Sequence, residues 1–170
     1  MIHFIFLYLI CFAQGNKDFL DEKNGYKDIK LGSDITDLAD KIKIADGEMS
    51  SNELVYYDYT DKSALTINNQ VHLKNVTIRA FKGKVLNIFL SVENQDAFEL
   101  YKVFTEAFGR YSDRPNQFMD KYYWYGKKVE LFYNFDSTSN LKLAWFTDIA
   151  LERERAKGEL EKTKKSANDL

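Results

Sequence analysis

The chain has very few of the residues that build disulfides, thiol sites and histidine-dependent active sites. Its 170 residues include one cysteine, Cys11, and two histidines, of which only His72 lies beyond the N-terminal region. Cys11 lies in a segment that we predict to be removed, which would leave no disulfide, catalytic thiol or cysteine-bound metal. A Ser-His-Asp triad would have to use His72, and no serine lies in a nucleophile-elbow sequence. These absences disfavour the most common catalytic classes.

The chain also lacks a strong charge of one sign, and it has little proline and glycine. The formal net charge is −2, and residues 1–15 contain no Lys, Arg, Asp or Glu, so their removal leaves this value unchanged. Nucleic-acid-binding proteins usually carry a basic patch, so we expect no nucleic-acid partner. One proline, eight glycines and an aromatic content of 15% favour a folded domain over a disordered chain.

Acidic and amide side chains cluster in two short stretches, which raises the question of calcium. Residues 58–69 include two aspartates and two asparagines, and residues 136–140 include one of each. Neither stretch has the spacing of a calcium-binding loop, and these residue types are common in turns because their side chains bond the local backbone. We therefore expect no metal and no other cofactor. No carboxylate pair stands out for general acid–base catalysis.

Residues 1–15 have the pattern of an export signal. Ile2–Phe12 is almost wholly apolar, which suits a signal-peptide core and is too short to span a bilayer as a helix. Two small residues, Ala13 and Gly15, follow at the positions expected for cleavage. We predict a signal peptide and a periplasmic or extracellular protein; the alternative is a buried N-terminal strand or helix. A lipid anchor at Cys11 is disfavoured because bulky apolar residues precede it.

Hydrophobic periodicity beyond the signal predicts a helix, three strands, a second helix, three more strands and a final helix. The predicted bounds are a helix over 34–43, strands over 54–59, 71–81 and 86–92, a helix over 95–108, strands over 118–125, 128–135 and 140–147, and a charged helix from 149. Ser33 and Asn94 are the candidate N-caps of the first two helices, and Gly109 would end the second. Residues 16–30 are expected to be a loosely held lead-in.

This order of elements predicts an α+β fold with a mainly antiparallel sheet and helices on one face, because most strands are joined by short turns. We assign residues 16–150 to a single domain and residues 151–170 to a charged C-terminal helix or tail. The two halves repeat one plan at a spacing of roughly sixty residues. This repetition suggests a duplicated α-β-β-β unit.

Two short segments resemble a known group of exported domains. The segment "IKLGSDITDL", Ile29–Leu38, followed by strands, is similar to the opening of β-lactamase-inhibitor-like domains, a group that includes small outer-membrane assembly lipoproteins. Helices of that group often end in a Gly-x-Pro turn; Phe108-Gly109-Arg110 has the glycine and lacks the proline. The resemblance implies a helix followed by a meander of strands, and it carries over no functional residue.

The most unusual stretch is "KYYWYGKKVELFYNF", Lys121–Phe135, which we predict to be a hairpin turning at Gly126-Lys127. Side chains alternate between the faces of a strand, so its neighbouring aromatic residues must divide between the two faces. One face is expected to be core, and the other to be either covered by the C-terminal helix or a partner surface. The candidate binding-face residues are Tyr122, Trp124, Lys128 and Phe132.

Two functions fit these features. The first is an exported, non-catalytic binding or inhibitor-like domain that contacts another protein or an envelope component. The alternative is a carboxylate-dependent hydrolase of envelope glycan, which a cleft holding two carboxylates, one of them desolvated, would favour. No second long apolar run follows the signal, so we expect no membrane span after its removal.

Overall fold

The computed structural model of the chain describes residues 17–46, 53–116, 118, 120–135 and 140–168. The predicted signal peptide, with Cys11, lies outside the described residues, as does the predicted turn over 136–139. The helices are α1 (Lys17–Lys23), α2 (Asn94–Phe108) and α3 (Ile149–Asn168), with 3-10 helices at Ile35–Leu38 and Lys62–Leu65. The strands are β1 (Gly25–Tyr26), β2 (Ile29–Lys30), β3 (Ile42–Ile44), β4 (Leu54–Tyr59), β5 (Thr66–Ile67), β6 (Val71–Phe81), β7 (Lys84–Glu93), β8 (Lys121–Tyr125), β9 (Val129–Asn134) and β10 (Leu141–Asp148).

The main sheet is antiparallel and has the order β3-β4-β6-β7-β10-β9-β8, with β5 paired to the outer part of β6. A separate two-stranded hairpin, β1–β2, lies before it in the chain. The sheet and its three helices make the protein an α+β fold, as predicted. The two predicted halves meet where β7 pairs with β10, but a 3-10 helix stands where the first half of a duplicated unit would have an α-helix. The duplication stays a prediction.

The core lies between α2 and one face of the sheet, here called the covered face. The apolar stripe of α2 is buried, with Leu100 fully inaccessible and Phe104 only 3% exposed. The ring of Phe104 meets Trp124, Tyr133 and Phe146 edge-on, at centroid distances of 5.8, 5.6 and 6.2 Å. Edge-to-face contacts are a favoured geometry for aromatic pairs, so these rings fix how α2 lies on the sheet.

The lead-in that we expected to be loosely held is instead packed into the core. Leu20 on α1 and Ile29 on β2 are completely buried, and Tyr26 is 7% exposed. The β1–β2 hairpin requires glycine at position 25, where φ is +136° and a Cβ atom would lie 2.2 Å from the carbonyl oxygen of Ile29. Apolar side chains spread over three short elements give no periodicity, which is why the sequence did not indicate them.

The predicted helix over 34–43 is also wrong. A 3-10 helix covers Ile35–Leu38, and the chain then extends into β3, which pairs with β4. The cap is Asp34 rather than Ser33, since the Asp34 carboxylate accepts from the backbone N–H of Thr36 at 2.9 Å. A single 3-10 turn is enough to bury Ile35 and Leu38, because residues three apart lie on the same side of it.

The α2 and α3 helices follow the predicted positions with one change. The N-cap of α2 is Glu93 rather than Asn94, and it makes no side-chain capping bond. Gly109 ends the helix with φ of +76°, as its predicted role requires. The charged helix predicted from Ile149 is α3, which buries none of its residues. No helix within the described ranges is long and apolar enough to cross a membrane.

Candidate functional site

The four predicted binding-face residues do not lie together. Trp124 is completely buried on the covered face, where its indole N–H donates to the carbonyl oxygen of Gly109 at 2.7 Å. Tyr122 is on the same face, and Phe132 lies on the opposite one, while Lys128 is exposed in the turn before β9. Side chains alternate along these strands as predicted, but the alternation does not bring the four candidate residues onto one face of the sheet. Their role in binding stays a prediction.

The opposite face of the sheet, here called the open face, carries a row of aromatic side chains across four adjacent strands. The row consists of Tyr123 on β8, Phe132 on β9, Trp145 on β10 and Phe89 on β7, each directly opposite the next in the strand register. Neighbouring ring centroids are 4.6, 4.1 and 6.0 Å apart along the row. Directly opposed aromatic pairs stabilise a sheet, and here they also form a continuous surface.

The aromatic row remains partly accessible. Phe132 is only 4% exposed because rings flank it on both sides, whereas Tyr123, Trp145 and Phe89 are half-buried. Tyr125, beside the row, is 40% exposed, and its ring stacks on that of Tyr123 at 5.8 Å. In the part of the chain that the structure describes, α2 packs against the covered face. The α3 helix buries none of its own residues.

A polar row runs parallel to the aromatic row, two residues along each strand. Arg79 donates from Nε to the side-chain oxygen of Asn87 at 2.8 Å, and Asn87 donates to the hydroxyl of Thr147 at 2.8 Å. The Arg79 guanidinium also lies over the ring of Phe89, 5.7 Å from its centroid. These bonds join β6, β7 and β10, and they satisfy polar groups that the sheet buries.

Two carboxylates lie at the border between the polar row and α3. Glu152 is held by arginines: Arg155 Nη2 lies 2.6 Å from one of its oxygens, and Arg79 Nη2 lies 3.8 Å from the other. Glu130 follows Thr147 in the strand register and has a different environment. Burial raises the pKa of its carboxyl group, and the negative charge of Glu152 raises it further. The pKa of the Tyr123 hydroxyl is also raised, first by burial and then by Glu130.

The charged groups beside the aromatic row are an ion-paired carboxylate, a partly buried carboxyl group and an arginine. Both Glu152 oxygens accept from Arg155, at 2.6 and 3.0 Å, so this carboxylate serves an ion-pair network. Among the described residues, no group of three or more His, Cys, Asp or Glu side chains is arranged to hold a metal ion. The surface that remains is an aromatic row bordered by an arginine, and such groups are typical of protein interfaces.

Four residues of the open face were missed as site candidates, namely Tyr123, Phe89, Trp145 and Arg79. The alternation along β7 and β10 does place Phe89 and Trp145 opposite the core residues of their strands. The missing information was the pairing of β7 with β10, because it joins strands that are far apart in sequence. Without that pairing, the aromatic residues of the second hairpin could not be extended into a row.

The chain matches no protein-family model, no curated protein and no solved structure.

Proposed function

We propose that the protein is an exported, non-catalytic binding domain that contacts another protein through the open face of its sheet. The observation that carries this proposal is the continuous row of Tyr123, Phe132, Trp145 and Phe89 across four paired strands. Burying the three half-buried rings, Tyr123, Trp145 and Phe89, on a partner yields much of the energy of typical interfaces, where Tyr, Trp and Arg are the commonest hot-spot residues. The apolar N-terminal segment with small residues at its end supports export.

The surface chemistry favours a protein over a small ligand. Small-molecule sites are concave and enclose most of their ligand, whereas the aromatic row follows a regular register across the sheet. Arg79 stands at one end of the row, over Phe89 and 6.0 Å from the ring centroid of Tyr56. An aromatic centre with charged groups at its border matches the core and rim of a protein–protein interface.

A pull-down from envelope extract, followed by titration of the purified partner, tests the proposal. Tyr123→Ser removes a half-buried ring of the aromatic row, and we expect the dissociation constant to rise by roughly tenfold or more. Tyr111→Ser is the matched control, because Tyr111 is also half-buried but packs on Tyr122 at the covered face. Equal binding by wild type and Tyr123→Ser, or equal loss in both variants, would contradict the proposal.

The second candidate, a glycan hydrolase, is favoured by one observation, the desolvated Glu130 near Glu152. A carboxyl group with a raised pKa is the usual general acid in such enzymes. Incubation of the protein with purified envelope glycan, with release of reducing sugar as the readout, separates the two functions. Under our proposal no sugar is released. Release that Glu130→Gln abolishes would establish the hydrolase.

A further inference from the structure

A groove of about 360 Å³ opens on the helix side of the sheet, where α2 passes α1, β1 and β5. Small-molecule sites commonly have volumes of about 300–1,000 Å³. Its walls are mainly apolar, and the principal side chains are Phe19, Tyr26, Ile67, Val103, Ala107 and Phe108. The groove is separate from the aromatic row, because its floor includes Phe146, which points to the covered face of β10.

Two lysines, Lys23 and Lys27, complete the lining of the groove. Both are half-buried, and the Lys27 ammonium donates to the carbonyl oxygens of Ser63 and Thr66, the latter at 2.8 Å. An ammonium group has three N–H donors, so one donor of Lys27 remains after these two bonds. The carbonyl groups hold the cation in place without neutralising its charge.

The positive charge at the groove is not matched by acids. Within the described ranges, no carboxylate lies within 4.0 Å of the Lys23 or Lys27 ammonium, and neither Asp nor Glu lines the groove. The remaining polar side chains of the lining, Thr66 and Asn68, are neutral. An occupant that complements this groove therefore has an apolar body and an anionic end.

We propose that the groove binds a single-chain aliphatic carboxylate of medium length, such as decanoate. The alkyl chain lies against Phe19, Val103 and Phe108, and the carboxylate accepts from Lys27, with Lys23 adding its charge. A charge-assisted hydrogen bond to an ammonium that is already held in position costs little further ordering. This binding is independent of the open face, so either proposal can fail without the other.

Isothermal titration of the purified protein with decanoate, octanoate and decanol tests the site. We expect one decanoate per chain, and removal of two methylene groups in octanoate should weaken binding by roughly tenfold. Decanol should bind more weakly than decanoate because it cannot pair with the lysines. Equal affinity for decanol and decanoate, or no saturable binding of decanoate, would overturn the proposal.

Two variants locate the binding. Lys27→Gln should weaken decanoate binding by roughly tenfold and leave decanol binding unchanged, whereas Lys74→Gln, a lysine outside the groove lining, should change neither. Ala107→Trp should block both ligands by filling the groove. If that variant does not fold, as judged by its circular dichroism, Val103→Phe replaces it. Decanoate binding that survives both Lys27→Gln and the filled groove would place the ligand elsewhere and overturn the proposal.

Discussion

The ring of Phe132 lies 4.1 Å, centroid to centroid, from the ring of Trp145 directly opposite it on the neighbouring strand. With Tyr123 on its other side, this contact leaves Phe132 only 4% exposed, although the residue lies on the face away from α2. A ring on the open face can therefore be buried by its own neighbours. Phe132 therefore stabilises the aromatic row, whereas the half-buried rings of Tyr123 and Trp145 form its accessible surface.

We expect Phe132→Ala to lower the free energy of unfolding by about 3–5 kcal/mol, because it removes a buried ring and its two aromatic contacts. Tyr125→Ala is the control, since Tyr125 is 40% exposed and its loss should cost less than about 1 kcal/mol. Urea denaturation measures both values. A small loss for Phe132→Ala would show that the rings of Tyr123 and Trp145 do not bury it.

Residues at the contact between α2 and the sheet should contribute to the free energy of unfolding as ordinary core residues do. Leu90 on β7 is fully buried and Phe104 on α2 is 3% exposed, and both belong to the same apolar cluster. We expect alanine at either position to cost roughly 2–5 kcal/mol, measured by denaturant unfolding. Losses below about 1 kcal/mol at both positions would mean that α2 does not pack on this face.

Several features of the fold could be predicted because they depend on local pattern. The strand Val71–Phe81 has its predicted bounds, and the turn after it uses Gly83 with φ of +77°. The β3 strand could not be predicted, because Ile42 continues the helical stripe of Ile35 and Leu38 in sequence while pairing with Tyr59 in space. A stripe this short does not distinguish a helix from a short turn followed by a strand.

The candidate site was less predictable than the fold, because its arrangement depends on long-range contacts and not on local pattern. Alternation correctly separates Tyr122 and Trp124 from the side chains on the opposite face of β8. It cannot say which face α2 covers, since both faces of this hairpin carry rings. Long-range contacts, such as the hydrogen bond from the Trp124 indole to the carbonyl oxygen of Gly109, determine which face α2 covers. No local pattern encodes such contacts.

Asp21 should stabilise the turn between β8 and β9. Its carboxylate accepts from the backbone N–H groups of Lys127, Lys128 and Val129, at 2.7, 2.8 and 3.0 Å. We expect Asp21→Ala to lower the free energy of unfolding by about 1–3 kcal/mol, because three backbone donors lose an acceptor. Glu22→Ala, an exposed neighbour on the same helix, is the control and should be nearly neutral.

The Asp21 contribution should also depend on pH. Partial burial raises the pKa of its carboxyl group, but the three backbone bonds outweigh burial and the net pKa is lowered. A lowered folded pKa means that the stabilisation is present above the ordinary aspartate pKa and is lost as the pH falls through the folded value. The difference between wild type and Asp21→Ala should therefore shrink on acidification. A difference that is constant with pH would contradict these bonds.

Glu130 should show the opposite dependence. Burial and the nearby charge of Glu152 raise its pKa, so the folded state binds the proton more tightly than the unfolded state does. The resulting stability is complete below the ordinary glutamate pKa and is lost as the pH rises through the folded value. Glu130→Gln should therefore be more stable than wild type near neutral pH, with a gain that disappears in acid. Urea denaturation of wild type and Glu130→Gln across this pH range measures the gain, and a gain that is constant with pH would contradict the raised pKa of Glu130.

The distal part of α3 should be dispensable for folding. No residue of α3 is buried, and beyond residue 157 its contacts include an exposed pair of Lys162 with Glu53, 2.8 Å apart. The exposed Glu159 also lies 2.6 Å from the half-buried Arg155. Exposed ion pairs contribute about 0–1 kcal/mol each and are screened by salt. Deletion of residues 157–170 should therefore leave the melting temperature within a few degrees, and added salt should reduce the difference further.

The first turn of α3 is different, because Glu152 contacts Arg79 on the open face, so a deletion from residue 151 should cost more. Equal and large losses from both deletions would show that the distal turns pack on the sheet.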